Sequence, residues 1–174
     1  MGKEHKRVIV IGSSGAGKST LSNQLAQKWA LPLIHLDSVY WNPGWVPTPS
    51  DEFRVKVEEK LKEERWIIDG NFNSTLKLRA QHADLIIFLD FPKVLCTYRI
   101  IKRYWTYKGV TRPDMGRECP EKIDKEFVKW VWNFPKGVRP GILNALREVA
   151  STTDICILRN PKEVKHFIKT APSF

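Results

Sequence analysis

Val8-Ile9-Val10-Ile11 runs straight into GSSGAGKST, residues 12–20, and no other stretch restricts the fold as sharply. Four consecutive β-favouring apolar residues predict a strand buried on both faces, as in a parallel sheet. Gly12, Gly17, Lys18 and Ser19 then satisfy the pattern G-x-x-x-x-G-K-[ST]. The spacing has a mechanical reason. Glycines let the backbone curl with its N–H groups pointing inward, which makes a nest for phosphate oxygens. A helix beginning near Lys18 adds its positive N-terminal end. Gly12, Ser13, Ser14, Gly15, Ala16, Gly17, Lys18, Ser19 and Thr20 are therefore the expected ATP cradle. Lys18 reaches the β/γ-phosphates, and the Ser19 hydroxyl is placed to ligate Mg2+.

The surrounding pattern alternates strands and helices. Expected strands are Leu33–Asp37, Arg65–Asp69, Asp84–Asp90 and Asp154–Leu158, in addition to the one before the phosphate loop. Helices are expected over Lys18–Trp29, from Pro49 to about Glu64 with Thr48 as N-cap, and over a short piece near Thr75–Gln81. Further ones run from Pro92 to about Tyr107, over Ile123–Phe134 and Gly141–Ala150, and over Glu163–Thr170. This order predicts an α/β fold: a three-layer P-loop NTPase architecture on a five-stranded parallel sheet with right-handed crossovers. In such sheets ligands bind at the carboxyl ends of the strands, where the phosphate loop, Asp37, Asp69 and Asp90 all fall. At 174 residues the chain is read as one domain. Residues 38–64 form its acceptor side, and the aperiodic stretch 108–122 (KGVTRPDMGRECPEK) forms a mobile lid.

Charge sharpens the picture. Of the formal net charge of +10, most lies in residues 93–147, which carry 13 Lys+Arg against 5 Asp+Glu. A surplus concentrated in one segment points to an anionic ligand there, either a polyphosphate or a nucleic acid. Arg99 and Arg103 stand i, i+4 on one predicted helix, ahead of a loop carrying Arg112 and Arg117. Like charges at that spacing repel, and a phosphate between them would turn the repulsion into charge-assisted hydrogen bonds. Lys125, Lys129, Trp132 and Lys136 form a second basic stripe, a nucleic-acid surface or a solvated helix face. No apolar run is long enough to span a membrane, and three dispersed cysteines imply free thiols in a reducing cytoplasm.

Two carboxylates compete for the metal. Asp69, on the third strand and followed by Gly70, is the expected partner of Mg2+ together with Ser19, while Asp90 is read as a helix N-cap before Pro92. Asp37 is either a catalytic base for an acceptor hydroxyl or a turn carboxylate. Trp41 and Trp45 either pack their loop or offer a flat face to a ring. The four histidines have no ligand spacing and receive no role.

The run DGNFNSTLKLRAQ…ADLIIFLDFPKVLCTYRIIKR, residues 69–81 and 83–103, resembles adenylate kinases, with their D-G-F-P-R-T and R-I-x-x-R motifs. The resemblance implies a nucleoside-monophosphate-kinase-like fold. It assigns the metal-site carboxylate to Asp69, the base-stacking arginine to Arg99 and a phosphate contact to Arg103. It also places Arg159 and Pro161 where adenine is wrapped, and makes 108–122 the lid. Asn73 stands in place of the motif's arginine, with Arg79 nearby as a substitute, and HLDSVYW stands where T-G-D-x-L-R holds AMP. Together, LDSVYWNPGW, WIIDGNF, LDFP and RPDMGRECPEKID…FVKWVWNFP resemble a bacterial group called DNA topology modulation proteins, related to adenylate kinases. The expectation is an ATP- and Mg2+-dependent phosphotransferase acting on a small acceptor. The alternatives are an ATP-hydrolysing nucleic-acid-associated regulator and a nucleic-acid 5′-hydroxyl kinase.

Overall fold

The computed structural model describes residues 4–172; the first three residues of the basic N-terminal run lie outside them. Strand β1 spans Arg7–Gly12, and helix α1 (Lys18–Trp29) follows the phosphate loop. Then come β2 (Leu33–His35), the short α2 (Leu36–Tyr40), a hairpin of β3 (Trp41–Asn42) and β4 (Val46–Pro47), and α3 (Ser50–Leu61). The second half comprises β5 (Trp66–Asp69), α4 (Asn73–His82), β6 (Leu85–Leu89) and α5 (Lys93–Tyr107). It closes with α6 (Lys125–Gly137), α7 (Arg139–Val149), β7 (Asp154–Leu158) and α8 (Pro161–Thr170).

Five strands form one parallel sheet in the order β2-β5-β1-β6-β7, with β1 in the middle. The central position explains why Val8 to Ile11 are all apolar, since each is fully shielded. Their alternation divides the core. Ile9 and Ile11 face Phe53, Val57, Leu76 and Ile142 from α3, α4 and α7. Val8 and Val10 face Leu21, Leu25, Cys96 and Ile100 from α1 and α5. The result is the three-layer α/β architecture expected from the sequence. Leu21, Leu25 and Trp29, one face of α1, are each at most 2% exposed. Burial of such side chains contributes roughly 1.5–3 kcal/mol apiece.

Register carries the strand ends to the site. Val10 pairs with Asp69, and Asp69 pairs in turn with His35. Both partners of Asp69 therefore stand beside the entrance to the phosphate loop.

Two local expectations are corrected. The second strand stops at His35 and does not carry Asp37. The Ser38 hydroxyl donates to the His35 carbonyl and Leu36 is buried in the core, so the chain turns into α2. Residues 38–50 are more ordered than their prolines suggest, because the end of α2 and the β3–β4 hairpin lie within them. Thr48 does not cap α3: its buried hydroxyl donates to the Val39 carbonyl and accepts from Asn42, which pins the hairpin. Pro49 takes the cap position with no side-chain hydrogen bond. Among the described residues no helix is long and apolar enough to cross a membrane.

Candidate active site

The phosphate loop bridges the end of β1 and the start of α1, and its conformation depends on one glycine above the others. Gly15 has φ of +80°, and a Cβ there would collide with the backbone carbonyl of Cys96 on α5. Only glycine permits both the turn and that approach. The Gly12 N–H donates to Asn71 Oδ1 at 2.9 Å, which ties the loop to the segment after β5. Lys18 Nζ donates to the carbonyls of Gly12 at 3.0 Å and Ser13 at 3.2 Å, folding back over its own loop. Burial lowers the Lys18 pKa, while Asp37 and Asp69 pull the other way.

Three carboxylates surround this ammonium and its neighbour Ser19. Asp37, in the first turn of α2, is pushed up by burial, and the nearby Lys18 charge only partly opposes the shift. Asp69 is 4% exposed; its Oδ1 pairs with His35 Nδ1 at 2.8 Å and its buried Oδ2 has no partner. His35 is raised: burial alone would lower it, but the hydrogen bond and charge of Asp69, with Asp114 and Asp37 beyond, prevail. Asp114 accepts the Ser19 hydroxyl at 2.7 Å and is held low by Arg112 and that hydrogen bond, despite burial.

The arginines form a connected brace rather than a free cluster. Arg103 and Arg112 donate from their Nε atoms to the two oxygens of buried Glu121, at 2.9 and 2.6 Å. Arg112 also grips Asp114 through Nη1, at 2.9 and 2.7 Å. Segment 108–122, apart from isolated bridges, has no regular structure, as its lack of period implies, yet this chain of ion pairs holds it over the phosphate loop. Arg99 approaches the loop from α5, with Nη1 at 3.3 Å from the Gly15 carbonyl and the guanidinium 5.5 Å from the Phe91 ring centre.

Two cavities meet at this point. One, of about 470 Å³, is lined by the phosphate loop, Asp69, Arg99, Arg103 and Asp114. The other, of about 750 Å³, opens between the hairpin, α4, segment 108–122 and α6, and has Trp41, Trp45, Phe72, Phe127 and Trp130 on its walls. Ser14, Lys18, Asp37, Arg103 and Arg112 line both.

Several candidates fall elsewhere. Arg117 is exposed and lines neither cavity, because its neighbours Met115 and Cys119 take the inward positions. Arg159 is exposed beyond the outer strand β7, where its backbone N–H donates to Glu163, and Pro161 opens α8; neither lines either of these two cavities. Asp90 is not a helix cap: it receives Nε and Nη2 of Arg139 at 2.8 and 2.9 Å, and Pro92 takes the cap position of α5 with no side-chain hydrogen bond. Arg79 does not point into the cleft. It is fully buried and donates to the carbonyls of Gly70, Asn71 and Phe72, and burial pushes it down to about 9, so it stays charged at neutral pH. Trp41 and Trp45 contact each other edge to face at 5.3 Å, and Trp45 Nε1 donates to the Pro120 carbonyl, so they pack the hairpin onto segment 108–122 as well as lining the cavity. The Lys125, Lys129, Trp132 and Lys136 face is exposed, with the Lys93 ammonium 4.1 Å from the Trp132 ring centre.

His35, Asn71 and Glu121 carry much of the geometry without having been singled out for roles. Glu121 could have been suspected as a carboxylate embedded in a strongly basic stretch. His35 and Asn71 act through register and a backbone contact, which leave no motif.

The donor set fits Mg2+. Among the described residues no group of three or more His, Cys, Asp or Glu side chains is arranged to hold a metal by itself. Mg2+ in phosphate sites relies on one or two carboxylates supplemented by water and substrate phosphates. The unpartnered Oδ2 of Asp69 and the Ser19 hydroxyl are hard oxygen donors of that kind.

No protein-family model matches the chain. It is 29% identical over 132 residues to the uncharacterised protein YqaC of Bacillus subtilis, covering 72% of this chain and 70% of that one. It is 27% identical over 128 residues to a Thermococcus gammatolerans protein named "Putative adenylate kinase", covering 70% of this chain and 64% of the relative. Among solved structures, shikimate kinase from Acinetobacter baumannii in complex with shikimate superposes with a TM-score of 0.64 at 13% identity. That superposition covers 94% of this chain and 89% of the other. The fold is that of P-loop kinases.

Proposed function

We propose that this protein is a single-domain, cytoplasmic P-loop kinase that transfers the γ-phosphoryl group of ATP to a small acceptor. The observation that carries the reading is the shared floor of the two cavities. Lys18 and Asp37 line both, so a charge suited to the transferring phosphoryl group sits beside a carboxylate suited to the acceptor hydroxyl. ATP would occupy the smaller cavity, with its phosphates on the loop amides and Lys18. Mg2+, held by Ser19 and through water by Asp69, would neutralise charge on the β- and γ-phosphates.

The residues of the chain supply the rest. Lys18, Arg103 and Arg112 stabilise charge that develops on the transferring group, in a site from which residues 108–122 exclude water. Asp37 accepts the hydroxyl proton, and its raised pKa makes it a better base than an exposed aspartate. The Ser19 hydroxyl donates its proton to Asp114 and keeps its oxygen lone pairs for the metal, so the lid carboxylate orients this ligand.

Coupled nucleotide and phosphoryl-transfer measurements test the reading. ATP with Mg2+ should protect residues 108–122 from hydrogen exchange, and ADP release should accelerate with at least one hydroxyl acceptor in a panel of nucleosides, nucleotides, small alcohols and DNA ends. Tight, salt-resistant duplex binding with an unprotected lid would sink it in favour of a nucleic-acid regulator, for which the exposed Lys125–Lys136 face is the candidate surface. Transfer confined to DNA ends would instead establish a 5′-hydroxyl kinase.

A further inference from the structure

From the walls of the larger cavity, we infer that the acceptor is an uncharged alcohol borne on a flat ring system, as in a nucleoside, and not a phosphate monoester. The inference rests on the kinase reading above and adds the class of acceptor to it. The cavity, about 750 Å³, is of a size that holds a molecule of two or three rings. Trp41, Trp45, Phe72, Phe127 and Trp130 line it, and the rings of Phe127 and Trp130 lie nearly parallel, 9° apart. Aromatic walls recognise a flat ring through its faces and edges. Asn71 and Asn73 add amide donors and acceptors for ring heteroatoms.

The charges in this cavity oppose an anionic acceptor. Among its described lining residues, the cations shared with the phosphate-loop cavity are Lys18, Arg103 and Arg112, and in the kinase reading these serve the transferring phosphoryl group of ATP. The remaining cation, Lys122, lies 4.7 Å from the centre of the Trp45 ring. Against it stand Asp124 and Glu126. Arg79, the nearest candidate for a phosphate clamp, is turned into backbone carbonyls and cannot serve. A phosphate monoester entering here would lose its hydration and meet one lysine set against two carboxylates. A neutral ring would lose little and gain contact area.

The chemistry then balances simply. The acceptor hydroxyl oxygen forms a bond to the γ-phosphorus while the bond from that phosphorus to the β–γ bridging oxygen breaks. The electron pair leaves with ADP, and the hydroxyl proton passes to the Asp37 carboxylate.

Direct comparison of the four common ribonucleosides and their deoxy counterparts with the matching 5′-monophosphates tests the inference. Binding is read without ATP from the fluorescence of the cavity tryptophans, and transfer is read with ATP and Mg2+ as ADP release. At least one nucleoside should change the fluorescence and be phosphorylated with kcat/KM at least about tenfold above its monophosphate. Asn73→Arg, at an exposed position on the cavity wall, should narrow that preference by supplying the missing cation. Equal or better use of monophosphates by the wild type would overturn the inference and leave the kinase reading standing. Failure of every nucleoside to bind or react, with ATP still bound, would also overturn it. Loss of ATP binding itself would instead remove the reading on which it rests.

Discussion

The two cavities that meet at Lys18 are built in opposite ways. The smaller one owes its core to nine consecutive residues, 12–20, whose backbone does most of the work. Its ligand chemistry is therefore encoded locally, in glycine positions and one lysine. The larger one assembles rings from the hairpin, the segment after β5 and α6, up to 89 residues apart between Trp41 and Trp130. Its chemistry exists only once the sheet has brought those pieces together. Changes in the first should strike the chemical step, whereas changes in the second should strike acceptor recognition.

The largest expected effect comes from breaking the shared floor. Lys18→Ala should leave the fold intact and cost about 3 kcal/mol of transition-state stabilisation, read as kcat/KM with any acceptor. Phe127→Ala, by contrast, should raise the KM for the acceptor with the ATP KM unchanged. If Lys18→Ala kept wild-type turnover, the assignment of the smaller cavity to ATP would fail.

A second measurement separates two strand-end carboxylates that look alike in sequence. Asp69→Asn should raise the Mg2+ concentration needed for half-maximal rate at least about tenfold. Asp90→Asn should leave that requirement alone and cost about 1 kcal/mol of stability, because its partner Arg139 is 37% exposed and solvent weakens the pair. A metal defect confined to Asp90→Asn would invert the assignment.

The smallest effect concerns pH. The His35 pKa is raised in the folded protein, so its pairing with Asp69 stabilises the fold fully below the unfolded value of 6.5. That contribution is lost as pH rises through the folded-state value, which lies above 6.5. The stability gap between wild type and His35→Gln should therefore shrink from mildly acid to alkaline pH, as followed by urea denaturation. A gap independent of pH would show that the imidazole acts only by packing.

The strands, the amphipathic helices and the phosphate loop follow from short-range rules. Unbroken apolar runs marked the strands, and the 3.6-residue period placed Leu21, Leu25 and Trp29, or Ile142 and Leu146, on buried faces. The phosphate loop was legible because its glycines and lysine act within one turn of chain. Tertiary structure decided everything that depends on which distant groups become neighbours. The end of β2 moved Asp37 onto a helix because buried Leu36 and the Ser38 hydroxyl bond outweigh strand extension. Arg79, positioned in sequence to face a ligand, became a scaffold for residues 70–72 because three carbonyls there needed a donor inside the core. Thr48 and Asp90 left their helix ends for partners six and 49 residues away. Glu121 became the anchor of Arg103 and Arg112 in the same way. Hydrogen-bond and ion-pair partners are selected by burial, and burial is a property of the assembled sheet and its helices, which no local window of residues contains.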